Sequence, residues 1–251
     1  MKQDYPAKYI VTALILAAGI ALSGYFLSLT IYRSQIGGDT VSVKGLAEKE
    51  VQADWAQAPL FFSRTLLLSA EEYEALGQTK VITHLYQKAE SDRLAIQKQL
   101  ESLGFSAEEI SSVDLWTKSE DFRGEDGKHT DTKVSVSGKI IVESEQVYTV
   151  RKLESAMSGL LSQGIVATTG NIKYHFSKLN DIKPEMLRTA TAAARVAAKE
   201  LSGSTGVKLG RIKSANQGRF SVVDKGENYG DTDRIEKTVR VVTNIKFYLT
   251  D

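Results

Sequence analysis

The sequence predicts an α+β fold of mostly antiparallel sheets with packed helices, preceded by one N-terminal transmembrane helix. Three observations predict it. An uncharged apolar run of 24 residues extends from Tyr9 to Tyr32, closed by Lys8 and Arg33. Downstream, stretches of period-two alternation recur between turn residues. Among them lie segments whose apolar residues return every three or four positions, giving an order of roughly ββαββαβαββ.

The apolar run comes first. As a helix it would be about 36 Å long, enough for the ~30 Å hydrocarbon core of a bilayer with some tilt. A helix satisfies its own backbone in lipid, so Gly19, Gly24, Ser23, Ser28 and Thr30 are tolerable within it. Tyr9, Tyr25, Phe26 and Tyr32 lie towards its ends, where aromatic rings suit the headgroup region. A cleaved signal is the alternative, with Lys2 and Lys8 as its basic region, Ile10 to Leu22 as its apolar region and Ala21-Leu22-Ser23 as the cleavage site. The run continues through Tyr25 to Leu29 beyond that cut, which favours a retained anchor. A lipoprotein is excluded: Tyr25 stands where Leu22-Ser23-Gly24 would need a cysteine, and the chain has none.

Lys2 and Lys8 precede the run, whereas Arg33 follows it and the next basic residue is Lys44. That excess favours a cytoplasmic stretch at 1–8 and a translocated C-terminal region. Residues 9–32 are then the anchor, 33–39 with Gly37-Gly38 a flexible linker, and 40–251 the folded part, as one domain or two intimate subdomains. Lys2, Lys8 and Asp4 aside, 30 basic and 30 acidic residues remain. That balance offers no field for nucleic acid. The absence of cysteine removes disulfides, zinc–thiolate sites and thiol catalysis.

Val41, Val43 and Gly45 lead the first strand, and Leu60 to Leu68 continues it past the Asp54-Trp55-Ala56 corner. A long helix follows over Ala70–Leu103, with Ile82, Leu85, Ala89, Ile96, Leu100 and Leu103 on one face and Gly104 as its stop. Ser106 to Glu109 has capping-box spacing. Strands are predicted near Val113–Lys118 and Thr132–Glu143 around the Gly124–Lys128 turn. A helix over Gln146–Ser162 and a strand over Asn171–Ser177 come next. Pro184 sits near the start of a third helix, where its missing N–H costs little, and that helix aligns Leu187, Ala190, Ala194, Ala197 and Leu201 before Gly203 and Gly206. Strands near Arg211–Ala215 and Phe220–Val223 precede the clean alternation of Val239, Val241, Thr243, Ile245, Phe247 and Leu249. Val41-Ser-Val-Lys-Gly45 and Val134-Ser-Val-Ser-Gly138 echo each other, as Val/Ser alternation in strands readily does.

Three stretches carry a resemblance. They are Val41-Ser-Val-Lys-Gly-Leu-Ala-Glu-Lys-Glu-Val51 with Ala53-Asp54-Trp55-Ala56, then Asn171-Ile-Lys-Tyr-His-Phe176 after Gly164, then the alanine-rich Leu187 to Gly210. In order and spacing they resemble the SIMPL domain family, bacterial envelope proteins typified by a periplasmic immunogenic protein of pathogens. Ala53 stands in place of the family's corner proline, and Val113-Asp-Leu-Trp-Thr117 lacks its usual Ile-x-Thr, which sets this member on a divergent branch. The resemblance covers roughly residues 40 to 250. It implies an α+β fold, an extracytoplasmic location and large homo-oligomers, sometimes ring-like, and it implies no catalytic residues.

Read for chemistry, the chain offers little. His84, His129 and His175 have no second ligand at metal spacing, and neither HExxH nor Gly-x-Ser-x-Gly occurs. His84 is expected on a helix surface and His175 on the polar face of its strand. Gly203-Ser-Thr-Gly206 follows a helix instead of opening one, so it reads as a stop and not a phosphate loop. Glu227, Asp231 and Asp233 could offer oxygens to Ca²⁺, but Asp224 to Asp233 departs from the calcium-loop register and reads as a solvated hairpin loop. No catalytic, cofactor or metal residue is assigned. Trp55 at the corner suits core packing or a subunit contact, and Arg188 and Arg195 lie seven apart on one helix face, where pairing with Glu185 or a neighbouring subunit is open. With Tyr229 of the acidic loop, these are the candidate oligomer contacts.

The expected protein is non-enzymatic, held to the bacterial inner membrane by a single helix, with its domain in the periplasm. It is expected to self-assemble into a ring- or cage-like homo-oligomer with a structural or envelope-stress role. The alternative is a monomeric envelope module that binds a ligand or an unknown partner protein. An enzyme with an unrecognised site near His175 or the acidic loop is the third reading.

Overall fold

Alternation and helical period become fifteen elements in the computed structural model, which describes residues 7–35 and 39–250. Positions 1–6 of the expected cytoplasmic stretch and Gly37-Gly38 of the linker lie outside the described residues. Helix α1 spans Ala7–Gln35, β1 Thr40–Gln52, β2 Trp55–Ser69, α2 Ala70–Leu76 and α3 Gln78–Ser102. Then come β3 at Ile110–Arg123, β4 at His129–Ser144, α4 at Val147–Arg151, α5 at Leu153–Met157 and a 3-10 turn at Ser158–Gln163. The chain ends with β5 (Ala167–Thr169), β6 (Lys173–His175), α6 (Leu179–Gly203), β7 (Lys208–Asp224) and β8 (Glu236–Thr250). The fold is α+β, as the alternations predict.

Within α1, Tyr9–Ile31 is long and apolar enough to cross a membrane, and none of it is buried against other parts of the chain. Two of its hydroxyls bond back along the helix, Ser23 to the Gly19 carbonyl at 2.7 Å and Thr30 to that of Phe26 at 2.8 Å. They therefore need no water. The helix runs three residues past the expected end at Tyr32 and takes in part of the expected linker.

The chain divides into two compact units. The larger comprises Glu48–Met186 and Phe220–Arg240. Its sheet has the order β3-β4-β2-β5, with β6 also pairing β2, and these pairings are antiparallel. Ala56, Ala58, Leu60 and Phe62 of β2 and Val134, Val136, Ile140 and Val142 of β4 form one buried face. Against it pack α3, through Val81, Leu85, Ala89, Ile96 and Leu100, and the segment carrying Val147, Val150, Leu153, Met157 and Leu160. Arg64 of β2 reaches into this layer and holds Asp92 of α3 with two bonds, of 2.5 and 2.8 Å.

The expected helix over 70–103 is two helices. Ser69 and Glu72 form a reciprocal capping box, and Gly77, at φ 76°, breaks the run before α3. The expected helix over 146–162 is likewise broken at Lys152 and ends as a 3-10 turn. The short β5, between them and β6, has no alternation long enough to be legible in the sequence.

The smaller unit comprises Met1–Ala47, Leu187–Arg219 and Val241–Asp251. Its strands belong to a sheet ordered β1-β8-β7. Contacts of Asp39 with Leu249 and of Gly45 with Thr243 show β1 running opposite to β8, and those of Lys208 with Thr250 and Gly218 with Val242 do the same for β7. Val43, Ile245 and Phe247 pack against Ala194 and Ala198 of α6. Gly45 permits this approach: a Cβ there would lie 1.9 Å from the Ala190 carbonyl oxygen.

Three sequence expectations change here. The buried stripe of α6 is Met186, Ala190, Ala194, Ala198 and Ser202, whereas Leu201 is 53% exposed. The helix begins at Leu179, so Pro184, though near its start, lies inside it, beyond the first turn in which a missing N–H is harmless. The two strands expected at 211–215 and 220–223 are one continuous β7, because pairing with β8 overrides the local turn character of Asn216-Gln217-Gly218.

Candidate functional site

The sequence-derived contact residues occupy separate places. Trp55 opens β2 half-buried, opposite His175 in the β2–β6 register, with the two rings 5.2 Å apart. His175, half-buried, lies opposite the buried Tyr174 on the polar face expected for it, and there it packs on that tryptophan. Arg188 and Arg195 are exposed on α6. Glu185, a partner open to them by sequence, takes the Lys49 ammonium at 2.5 Å. Tyr229 is 91% exposed at the tip of the β7–β8 connection. His84 lies on the exposed side of α3 as expected.

The phosphate-loop alternative meets a helix stop. Gly206 has φ 74°, and the N–H groups of Ser204 and Val207 bond back to the Glu200 and Ser202 carbonyls. One histidine does meet a hydroxyl and a carboxylate: His129 Nε2 is 2.8 Å from Thr132 Oγ1, which donates to Asp121 at 2.9 Å. Thr132 is fully buried, so this cluster closes the β3–β4 hairpin and presents no accessible nucleophile. Among the described residues, no three His, Cys, Asp or Glu side chains converge as a metal site would require.

The acidic loop is organised around a carboxylate at its base. Asp224, buried at the end of β7, accepts from the fully buried Lys237 ammonium and from the N–H groups of Asp233 at 3.0 Å and Arg234 at 3.2 Å. Burial opposes its charge, but these donors outweigh it and hold the carboxyl below its ordinary pKa. Glu227 is taken by Arg234 at 2.7 Å. The signal for Lys237 was in the sequence: it shares parity with Val239, Val241, Thr243, Ile245 and Phe247, so the alternation puts a lysine on the buried face. At the Asp54 corner, the carboxylate accepts from the N–H groups of Ser177 at 2.8 Å and Lys178 at 3.2 Å and so fixes the entry to α6. These arrangements build the fold.

A surface suited to association is the outer strand β7. Every side chain from Arg211 to Gln217 is exposed, and among the described residues β8 is its sheet neighbour on one side only. Arg211 and Lys213 lean over the Tyr248 ring, at 5.5 and 5.3 Å from its centre. Ser214-Ala215-Asn216-Gln217 carries neither charge nor proline, the devices that ordinarily guard an edge.

A family model for SIMPL, described as a protein of unknown function (DUF541), matches residues 41–247. Comparison with curated proteins finds no match.

Proposed function

Since this chain belongs to the SIMPL family, we propose that it is an extracytoplasmic protein tethered to the bacterial inner membrane, where it assembles with copies of itself in a structural, non-catalytic role. Tyr9–Ile31 is the tether in this reading, and the folded part lies in the periplasm. The observation that carries self-assembly is the uncharged stretch Ser214–Gln217 of the β7 edge, between Lys213 and Arg219, where a second strand would find unpaired backbone groups. Confinement to a membrane raises the effective concentration of subunits, so weak edge contacts suffice.

Light scattering after size exclusion of the full chain in mild detergent tests this. The expected result is a discrete particle of several subunits. Ala215→Lys with Gln217→Lys, both at exposed positions, should return it to monomers while the circular dichroism spectrum is kept. A monomeric wild-type chain would overturn self-assembly, and an unchanged particle in the lysine variant would move the interface elsewhere.

A further inference from the structure

The five-stranded sheet has a second face, away from α3, and the sequence has placed aromatic rings and hydroxyls on it. Residues facing that way across β3, β4 and β2 follow from the register: Trp116 lies opposite Ser137, and Ser137 opposite Ser63. On the next rungs Phe61 lies opposite Lys139 on one side and Thr168 on the other, and Thr65 opposite Ser135. A shallow groove of about 230 Å³ opens here, with Ser63 and Ser137 as its floor and Trp116, Phe61, Val166 and Thr168 around it.

Two local irregularities build the groove. The β3–β4 register shifts between Val113 and Trp116, and such a bulge re-aims the side chains beyond it. Leu115 is left partly buried against the core, while Trp116 stands 46% exposed beside the groove. Gly138 allows this, because a Cβ there would lie 2.4 Å from the Phe62 ring and 2.6 Å from Leu115. The opposite wall is fixed as well. Phe61 has the Lys139 ammonium 5.8 Å from its ring centre and lies against Gly170, where a Cβ would come within 2.9 Å of the ring. The floor differs from its surroundings in one respect. Thr65 and Ser135 satisfy each other at 3.0 Å, whereas Ser63 and Ser137 bond to no other protein group among the described residues.

We propose that this groove binds an uncharged saccharide chain. A sugar ring has an apolar C–H face and a rim of hydroxyls. The exposed Trp116 ring suits the first, and the free Ser63 and Ser137 hydroxyls, which both donate and accept, suit the second. Other ligand classes fit less well. An acyl chain would cover two hydroxyls and leave them unpaired. A phosphate or nucleotide would need several cations or helix N–H groups; the lining has neither, and the one cation at the wall, Lys139, lies over the Phe61 ring. A peptide adding as a strand needs a free edge, but the backbone groups of β2 and β4 are already paired beneath the groove. The site requires neither the membrane tether nor self-assembly.

The test titrates the full chain, held in a sugar-free detergent, with chitotetraose and with cellotetraose. The chain has two tryptophans, so in a Trp55→Phe background Trp116 alone reports. A saturable shift of its emission with at least one sugar is expected. By calorimetry Trp116→Ala should weaken that binding roughly tenfold, the scale of one lost aromatic contact, while Trp116→Tyr keeps most of it and shows that the fold survives. Ser137→Val should weaken it by removing a hydroxyl. No saturable change with either sugar would overturn the proposal, as would binding that Trp116→Ala leaves intact. A shift produced by octanoate but not by the sugars would assign the groove to an acyl chain instead.

Discussion

A lysine ammonium with no exposed surface has to be neutralised where it lies, and Asp224 does this for Lys237. Removing one member of such a pair strands the other charge, so Lys237→Met should lower stability by about 3 kcal/mol despite its better hydrophobic match. Denaturant unfolding of the full chain in detergent measures this. The pair also sets a pH dependence. The carboxyl of Asp224 titrates lower in the folded chain than in the unfolded one, so its contribution is complete above the ordinary carboxylate pKa of about 4. It is lost as pH falls through the folded value. The stability difference between wild type and Asp224→Asn should therefore be largest near neutrality and shrink in acid. A difference that stayed constant down to strong acid would show that charge is not what Asp224 contributes. Thr169 predicts the opposite sign. Its Oγ1 is buried without a partner among the described residues, so Thr169→Val should raise the unfolding free energy by about 1 kcal/mol.

Two glycines test how the elements fit, because the sequence echo makes them look equivalent and the packing does not. At Gly45 an added methyl meets backbone, the Ala190 carbonyl and the Ala194 nitrogen at 1.9 and 2.7 Å, and a helix cannot move one residue out of the way. At Gly138 it meets the ends of Phe62 and Leu115, and Leu115 is only partly buried. Gly45→Ala should cost about 3 kcal/mol or more, and Gly138→Ala closer to 1 kcal/mol, by the same unfolding measurement. Equal losses would mean that strand propensity, common to both sites, outweighs packing. The elements that were legible were those with long periods: α1, β4, β8 and the body of α3. Those that were not depended on partners. The Gly77 break was written locally in Ser69-Ala-Glu-Glu72 and Leu76-Gly77, but a 34-residue helical period hid it. The length of β7 is set by β8, and the groove at Trp116 needs the register of three strands, which no single stretch encodes.

At the scale of the whole chain, the sequence foresaw an apolar helix ahead of an α+β domain, and the family match agrees with that reading over the domain. What the helix becomes in the cell is a separate question, because a retained anchor and a cleaved signal share length and composition. The absence of cysteine supplies the means to separate them, since any thiol introduced is the only one present. Tyr229→Cys puts that thiol at a position 91% exposed, well away in sequence from the helix. An impermeant maleimide added to spheroplasts should label it without lysis if the domain lies outside the cytoplasm. Gln3→Cys makes the complementary measurement. With a retained anchor and a cytoplasmic N-terminus it should label only after lysis, whereas signal cleavage would remove it from the mature protein and lower the intact mass by more than 2 kDa, roughly 110 Da for each of the residues before the cut. Labelling of Gln3→Cys without lysis together with protection of Tyr229→Cys would invert the topology. The positive charges of Lys2 and Lys8 would then have lost to some stronger determinant, and the proposed periplasmic assembly would fall with them.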